Sequence, residues 1–158
     1  HLAELVKTGP LRGCDPMDLL KDPDVVTTHI RDFQARVFAA PPGRLFDPRF
    51  TVGPREYESA IARLHSCDFI GLSESFALSC RLFDRQFGTT LATRRMRRDN
   101  VSKKRFLPNR KELVDRLLPY LEYDIELYGE AKRLFTERTQ TLRSAAETGR
   151  SENRCRAS

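Results

Sequence analysis

The chain has 158 residues, of which 39% are hydrophobic and 32% are charged, and its formal net charge is +6. This composition fits one polar globular domain, and the absence of any apolar run near about 18 residues excludes a membrane span within these residues. The chain opens HLAELVKTG, with no initiator Met and no apolar signal segment, so we expect a piece of a longer protein. The four cysteines form no CxxC pair and fit no zinc-ligand spacing, which predicts no metal site.

The first third of the chain predicts one long helix followed by a loop. Thr27 or Thr28 can act as the N-cap, and the double proline Pro41-Pro42 ends the helix. The stretch GRLFDPRFTVG after it is rich in turn residues and predicts a loop. The residues predicted on the inner face of the helix are Ile30, Phe33, Val37 and Phe38.

The centre of the chain predicts a helix, a strand and a second helix. PREYESAIARLHSCD is amphipathic and begins with Pro54, a favoured first residue of a helix. CDFIGLS is a short apolar run bounded by polar residues, which predicts one buried strand near 67–72. SESFALSCRLFDRQFG predicts a helix that Ser73 can cap and Gly88 can end. This order is typical of an α/β crossover.

The most unusual segment is basic. Residues 94–111 hold nine basic side chains and one acidic one, a net charge of +8, so the remainder of the chain sums to −2. The segment shows no hydrophobic period and contains Asp99-Asn100 and Pro108, which predicts a loop. We call residues 94–111 the basic window. Charge concentrated in this way is typical of sites that bind phosphate, sulfate or nucleic acid.

The last part of the chain predicts a kinked pair of helices and a tail. Asn109 can cap a helix over RKELVDRLL, and Pro119 breaks or kinks it before a long helix over YLEYDIELYGEAKRLFTER. Asp124 lies near the inner face of that helix, where we expect partial burial against a basic partner. Because apolar residues end at about Ser144, we predict a folded part at 1–143 and a disordered tail at 144–158.

Few residues outside the basic window suggest chemistry, and no catalytic residue is assigned. His29, His65 and Cys67 lack the glycine-rich turn and the orienting acid that nucleophilic catalysis needs, so structural roles are favoured. The carboxylates of the long helix alternate with basic residues, which is typical of a solvated face.

The basic window permits three interpretations. A solvated charge run has no ligand. A nucleic-acid patch requires aromatic side chains for stacking, and Phe106 is the one aromatic residue in the window, so nucleic acid is disfavoured. A small-anion loop requires a few positioned donors and charges. The stretch NVSKKR supplies this mixture, with these candidate binding residues: Asn100, Ser102, Lys103, Lys104 and Arg105.

Three stretches, in order, are similar to one family. RDFQARVF resembles an Asn-x-Gln-Thr-Arg helix and keeps Gln34 and Arg36, although Asp32 replaces the usual Asn and Ala35 the usual Thr. FIGLSESFALSCRLFDRQFG resembles a hydrophobic strand followed by Gly, a Thr/Ser-Glu pair and a helix ending in Gly. YLEYDIELYGEAKRLFTER resembles the closing helix. Over residues 1 to 140 the chain therefore resembles the C-terminal half of the carbohydrate-type sulfotransferases that use 3′-phosphoadenosine 5′-phosphosulfate (PAPS).

The resemblance implies a fold and an activity. The fold would be a predominantly helical fragment of a P-loop-like α/β domain, with the strand near 67–72 flanked by helices. The activity would be transfer of a sulfuryl group from PAPS to a hydroxyl, with a carbohydrate as the expected acceptor. The 5′-phosphosulfate loop and the catalytic base lie upstream in such enzymes, so this fragment alone is expected to be inactive. By position, NVSKKR resembles the late loop that closes over the donor nucleotide.

A second functional class stays open on the residues alone. The chain could be a non-catalytic helical module that docks on nucleic acid or on an anionic membrane surface through the basic window. Two cellular compartments are also compatible with the resemblance. Bacterial relatives of the resembled family are cytoplasmic, whereas animal relatives lie in the Golgi lumen behind an N-terminal anchor.

Overall fold

A computed structural model describes residues 16–93 and 110–155 of the chain. Within these two ranges the backbone forms seven α-helices and no strand, so the predominantly helical character is confirmed. A π-helical turn spans Val26–Ile30, and 3₁₀ turns span Ser73–Ser75, Leu91–Thr93 and Leu118–Tyr120. The α-helices are α1 (Pro16–Leu19), α2 (Pro23–Val25), α3 (Phe33–Ala39), α4 (Pro54–His65), α5 (Phe76–Phe87), α6 (Arg110–Leu117) and α7 (Glu122–Cys155).

The described residues divide into two compact units, each with contributions from two parts of the chain. The first unit contains residues 16–66 and 110–128, and the second contains residues 67–93 and 129–155. The first unit therefore holds α1 to α4, α6 and the start of α7. The second unit holds α5 and the remainder of α7.

The first predicted helix begins earlier than expected and is interrupted. The carboxylate of Asp22 accepts the N–H groups of Asp24 and Val25 at 2.9 and 3.2 Å, and Pro23 occupies the first helical position. The predicted N-cap at Thr27 or Thr28 is therefore wrong, because an aspartate followed by proline forms a better cap five residues upstream. Thr28 lies in the π-helical turn that follows α2, and its hydroxyl donates to the main-chain carbonyl of Asp24 at 2.6 Å.

Ile30 is buried as predicted, but helix α3 after it buries a different face from the one predicted. Ala35, Arg36 and Ala39 are buried, whereas Val37 is 48% exposed. The reason is a break before the helix. Asp32 adopts left-handed backbone angles there, which rotates the side chains of α3 relative to those of the preceding helical turn. Helix α3 packs against α4, and the small side chains of Ala35 and Ala60, both fully buried, permit close approach.

Helix α4 follows the sequence prediction. It begins at Pro54, and the side chain of Glu56 accepts the N–H of Gly53 at 3.1 Å, which satisfies one donor at the helix start. Leu64 is buried. Near its end, the guanidinium of Arg63 donates to the carbonyl of Phe38 at 2.6 Å, at the C-terminal end of α3.

The predicted strand near 67–72 is wrong, although its apolar residues are buried as expected. Ile70 and Leu72 are buried, but no strand lies beside the segment within the described residues. Side chains instead form hydrogen bonds with the main-chain polar groups of this segment. Arg138 donates to the carbonyls of Cys67 and Asp68, at 3.0 and 3.2 Å. Because a strand needs a neighbouring ladder, an apolar run served by side chains stays irregular.

At the opposite end of this segment, one hydroxyl bonds to the main chain. Ser79, buried on α5, accepts the N–H of Leu72 at 2.9 Å, and its oxygen lies 3.1 Å from the carbonyl oxygen of Leu72. Helix α5 then ends as predicted at Gly88, whose φ of +66° is the left-handed conformation that glycine adopts without a steric cost. The 3₁₀ turn Ser73–Ser75 precedes the helix where Ser73 was expected as a cap.

The C-terminal helices are confirmed, and the disorder predicted for 144–158 stays a prediction. Pro119 lies in the 3₁₀ turn that separates α6 from α7, as its position indicated. Helix α7 buries Leu127, Leu134 and Phe135 and continues to Cys155, through most of the 144–158 segment predicted to be disordered. Extending an existing helix costs little, because each added residue gains a hydrogen bond without a new nucleus.

Removing the hydroxyl of Ser79 is expected to destabilise the second unit. In Ser79→Ala, the buried main-chain groups of Leu72 lose their partner, which should lower the free energy of unfolding by about 1–3 kcal/mol. Urea unfolding measures this change. The control is Ser59→Ala, which removes an exposed hydroxyl bonded to its own helix and should change stability by less than about 0.5 kcal/mol. Equal effects of the two substitutions would contradict the assigned role.

Candidate functional site

The predicted anion-binding residues lie outside the described residues. This applies to Asn100, Ser102, Lys103, Lys104 and Arg105, and to every residue of the basic window before Arg110. Of the window itself, Arg110 and Lys111 are described. The chain is described up to the 3₁₀ turn Leu91–Thr93 and again from α6, where Lys111 is exposed.

An apolar cleft lies in the second unit, between residues of the 67–72 segment, α5 and the 3₁₀ turn Leu91–Thr93. Its volume is about 280 Å³. Leu91, three residues before Arg94, lines this cleft. Leu72 and Ser73, where the 67–72 segment ends, line it as well. In the sequence, the basic window therefore begins three residues after a residue of the cleft. The principal lining residues of the cleft are Phe69, Leu72, Ser73, Phe76, Phe83 and Leu91.

Aromatic side chains form the wall of the cleft. Phe69 and Phe83 meet edge to face with their ring centroids 5.1 Å apart, and Phe83 lies 4.5 Å from Phe87. Such pairs favour one arrangement of the rings and stiffen the wall. Phe76 is 54% exposed, so part of the aromatic surface faces solvent.

Gly71 permits the close packing behind the cleft. A Cβ atom at this position would lie 2.9 Å from the ring of Phe69 and 3.2 Å from the Cβ of Ser79. A larger residue would therefore displace both the aromatic wall and the hydroxyl that holds Leu72. Glycine at this position therefore avoids a shift of the Phe69 ring.

Two carboxylates join helices α3 and α7 in the first unit. The Oδ1 atom of Asp32 accepts the N–H groups of Tyr123 and Asp124 at 2.8 and 3.2 Å, at the start of α7. In return, Asp124 accepts the N–H groups of Ala35 at 2.7 Å and Gln34 at 3.1 Å, at the start of α3. We call this arrangement the reciprocal cap. The basic partner expected for Asp124 is replaced by main-chain donors of a helix N-terminus.

The reciprocal cap explains the electrostatics of both carboxylates. Burial raises the pKa of Asp124, and the nearby charge of Asp32 raises it further, while the bonds from Ala35 and Gln34 act in the opposite direction. Burial also raises the pKa of Asp32 against the bonds from the start of α7. Both groups are occupied by helix ends, which indicates a structural role for the pair.

Arg36 is a second structural residue of the RDFQARVF stretch. Its side chain is 1% exposed, and its guanidinium donates to the carbonyls of Leu45 at 3.0 Å, Asp47 at 3.2 Å and Phe50. It also lies 5.6 Å from the centroid of the Phe50 ring. Arg36 therefore holds the loop between α3 and α4 from inside. A planar guanidinium suits this role because it carries several hydrogen-bond donors.

The remaining polar candidates make contacts that are typical of structural roles. His29 packs against Phe46 with ring centroids 5.4 Å apart, and burial together with the charge of Arg36 lowers its pKa. On α7, Arg133 forms ion pairs with Glu130 at 2.6 Å and with Glu137, in agreement with a solvated face. Among residues 16–93 and 110–155, no three His, Cys, Asp or Glu side chains are grouped to hold a metal ion. No helix in these ranges has the length and apolar character needed to cross a membrane.

Comparison with known proteins finds no matching family model, no matching curated protein and no matching solved structure.

The reciprocal cap predicts different outcomes for two similar substitutions. Asp32 uses one oxygen for both N–H groups, so Asp32→Asn can keep both bonds while removing a partly buried charge. Asp124 uses both oxygens, so Asp124→Asn must turn an amide NH₂ toward an N–H donor. At neutral pH we expect the first variant to match or exceed the parent in urea resistance and the second to lose about 1–3 kcal/mol. A loss in Asp32→Asn as large as in Asp124→Asn would be inconsistent with the cap.

The same pair predicts a pH dependence. Because the folded pKa of each carboxyl is raised above the ordinary value of 3.8, the folded state binds more protons than the unfolded state above that pH. The contribution of these groups to stability therefore falls as pH rises from 3.8 through the raised pKa. Asp32→Asn removes one of the two titrations, so its stability relative to the parent should increase from pH 3 to pH 7. Urea midpoints across this range test the sign, and a relative decrease would refute it.

Proposed function

We propose that the chain is part of a PAPS-dependent sulfotransferase and that the basic window binds the phosphates of the donor nucleotide. The supporting observation is that Leu91, which leads into the window, lines the aromatic cleft with Leu72 and Ser73. In the sequence, a residue of this ring-lined surface comes three positions before the first cation of the window. A ligand with one flat apolar part and several phosphates has the matching chemistry.

The charge of the window supports the phosphate part of the proposal. Nine basic residues in an 18-residue stretch produce a local positive potential that attracts a multiply charged anion. In the proposed complex, Lys103, Lys104 and Arg105 stabilise phosphate charge, and Asn100 and Ser102 donate hydrogen bonds that orient it. These five residues are the proposed donor-binding set.

The cleft supports the nucleoside part. Aromatic side chains are general platforms for nucleobases, because every base has a flat face that stacks on them. The exposed surface of Phe76 and the wall formed by Phe69 and Phe83 offer such a platform. In the proposed complex the adenine of PAPS occupies the cleft while its phosphates extend into the basic window.

The proposed reaction is sulfuryl transfer to a hydroxyl, with a carbohydrate as acceptor. A bond forms between the acceptor oxygen and sulfur, the bond from sulfur to the bridging phosphate oxygen breaks, and the hydroxyl proton passes to a base. Such transfers depend on in-line placement and on stabilisation of charge on the leaving phosphate. The basic window would supply that stabilisation. In the proposed enzyme, a helical C-terminal part of a P-loop-like domain, the base and the 5′-phosphosulfate loop belong to upstream sequence.

A second candidate function is favoured by one observation. The described residues contain no strand, which fits a non-catalytic helical module that uses the basic window to bind nucleic acid. The two candidates differ in what they bind. The module should bind duplex DNA with a steep loss of affinity at rising salt and should show no preference for an adenosine bisphosphate.

The donor-binding set is tested by replacing its three cations. In Lys103→Ala/Lys104→Ala/Arg105→Ala, affinity for adenosine 3′,5′-bisphosphate, the desulfated donor, should fall at least about tenfold, or about 1.4 kcal/mol. Isothermal titration calorimetry measures the change. The control Arg49→Ala/Arg55→Ala/Arg81→Ala removes the same charge from three exposed positions outside the window and should leave binding within about twofold.

Two results would count against the sulfotransferase proposal. Equal losses in the two triple variants would show that net charge, not the donor-binding set, controls affinity. Salt-sensitive DNA binding by the parent chain without measurable binding of adenosine 3′,5′-bisphosphate would support the helical module instead.

A further inference from the structure

The aromatic cleft of the second unit is lined by few polar groups. Among the described residues that line it, none is charged, and the side chains with a polar atom are Ser73, Ser79 and Cys80. A site built to hydrogen-bond one group of a ligand rejects an analogue that lacks this group by a factor of up to about 10⁴. The bonds that these three side chains make therefore show whether the cleft can read the edge of a ring.

The hydroxyl of Ser79 is used by the main chain. It accepts the N–H of Leu72 at 2.9 Å, and its proton faces the carbonyl oxygens of Leu72 and Ser75, each 3.1 Å away. A serine hydroxyl has one proton, so Ser79 has none to donate to a ligand. The N–H of Leu72 is occupied by the same contact.

The other polar groups at the cleft offer weak discrimination. Cys80 is buried, and its thiol is a weak donor. Ser73 is exposed, where water competes for its hydroxyl, and that hydroxyl lies 3.5 Å from the carboxylate of Glu74. The N–H of Leu91 is bonded to the carboxylate of Asp84 at 2.6 Å.

The apolar part of the cleft suits a pair of fused rings. Its volume of about 280 Å³ compares with a cavity of roughly 150 Å³ that binds benzene in another protein. Phe69, Phe76 and Phe83 supply aromatic surface. Stacking on such surface tolerates every nucleobase, because each base has a flat π-face. The absence of charge among the lining residues favours an uncharged ring over a charged one.

We propose that the cleft is a site for a flat, uncharged pair of fused rings that it recognises by face and size, so that it does not distinguish adenine from guanine. The application to nucleotides rests on the proposed function. The ring contact itself involves residues of the cleft alone. Any preference of the protein for an adenine nucleotide would then have to arise outside the cleft.

Two nucleotides that differ in their base test the proposal. By isothermal titration calorimetry, the parent chain should bind adenosine 3′,5′-bisphosphate and guanosine 3′,5′-bisphosphate with affinities within about threefold of each other. Phe76→Ala removes one aromatic surface of the cleft and should weaken both by about tenfold. The matched control is Phe46→Ala, because Phe46 is 53% exposed, against 54% for Phe76, and lies in the first unit. It should leave both affinities within about twofold.

Indole tests the cleft without phosphates. It has two fused rings, and its edge lacks the donor and acceptor pattern of a purine. The chain contains no Trp, so the fluorescence anisotropy of indole reports binding of the probe without signal from protein tryptophan. The parent chain should bind indole, Phe76→Ala should weaken this binding about tenfold, and Phe46→Ala should leave it unchanged. Circular dichroism and urea midpoints identify any variant that unfolds. Should Phe76→Ala unfold, Phe76→Leu removes the ring while keeping an apolar side chain, and the same losses are expected.

The outcomes separate this inference from the proposed function. Indole binding that depends on Phe76, with neither nucleotide bound by the parent chain, would overturn the proposed function and leave the ring site standing. Binding of both nucleotides with a preference above about tenfold for one base would overturn the inference alone. So would indole binding that is absent or that Phe76→Ala and Phe46→Ala reduce equally.

Discussion

The reciprocal cap between Asp32 and Asp124 is the constraint on which the first unit depends. It ties together two helix starts separated by about ninety residues of sequence, and each helix supplies the carboxylate that the other needs. Every N-terminus of a helix leaves main-chain donors without partners, and a buried N-terminus must satisfy them. Here each helix supplies the acceptor for the N–H groups of the other, so displacing either α3 or α7 would break both caps.

The same physical rule operates in the second unit with different groups. The segment near 67–72 carries main-chain polar groups into an apolar setting, and the side chains of Ser79, Gln86 and Arg138 satisfy several of them. A sheet would satisfy these groups with other main chain. Because side chains do so here, the apolar run packs against helices without becoming a strand.

The proposed function depends on the order of features along the chain. In the sequence, two residues separate Leu91 of the cleft from Arg94, where the basic window begins. In the proposed complex, this order suits a ligand that combines a ring with phosphates. The acid pairs on α7 and the buried polar residues of the first unit show no such combination, so the site is proposed at the cleft.

The sequence by itself determined the helical character of the chain, the start of α4 at Pro54, the end of α5 at Gly88, the break at Pro119 and the position of the charge. These are local properties, set by proline, glycine and periodic apolar residues. Only the tertiary structure decided that residues 67–72 form no strand and that Asp124 meets main-chain donors. Each of these depends on a partner brought close by folding, and residue types reveal the need for a partner without revealing which group supplies it.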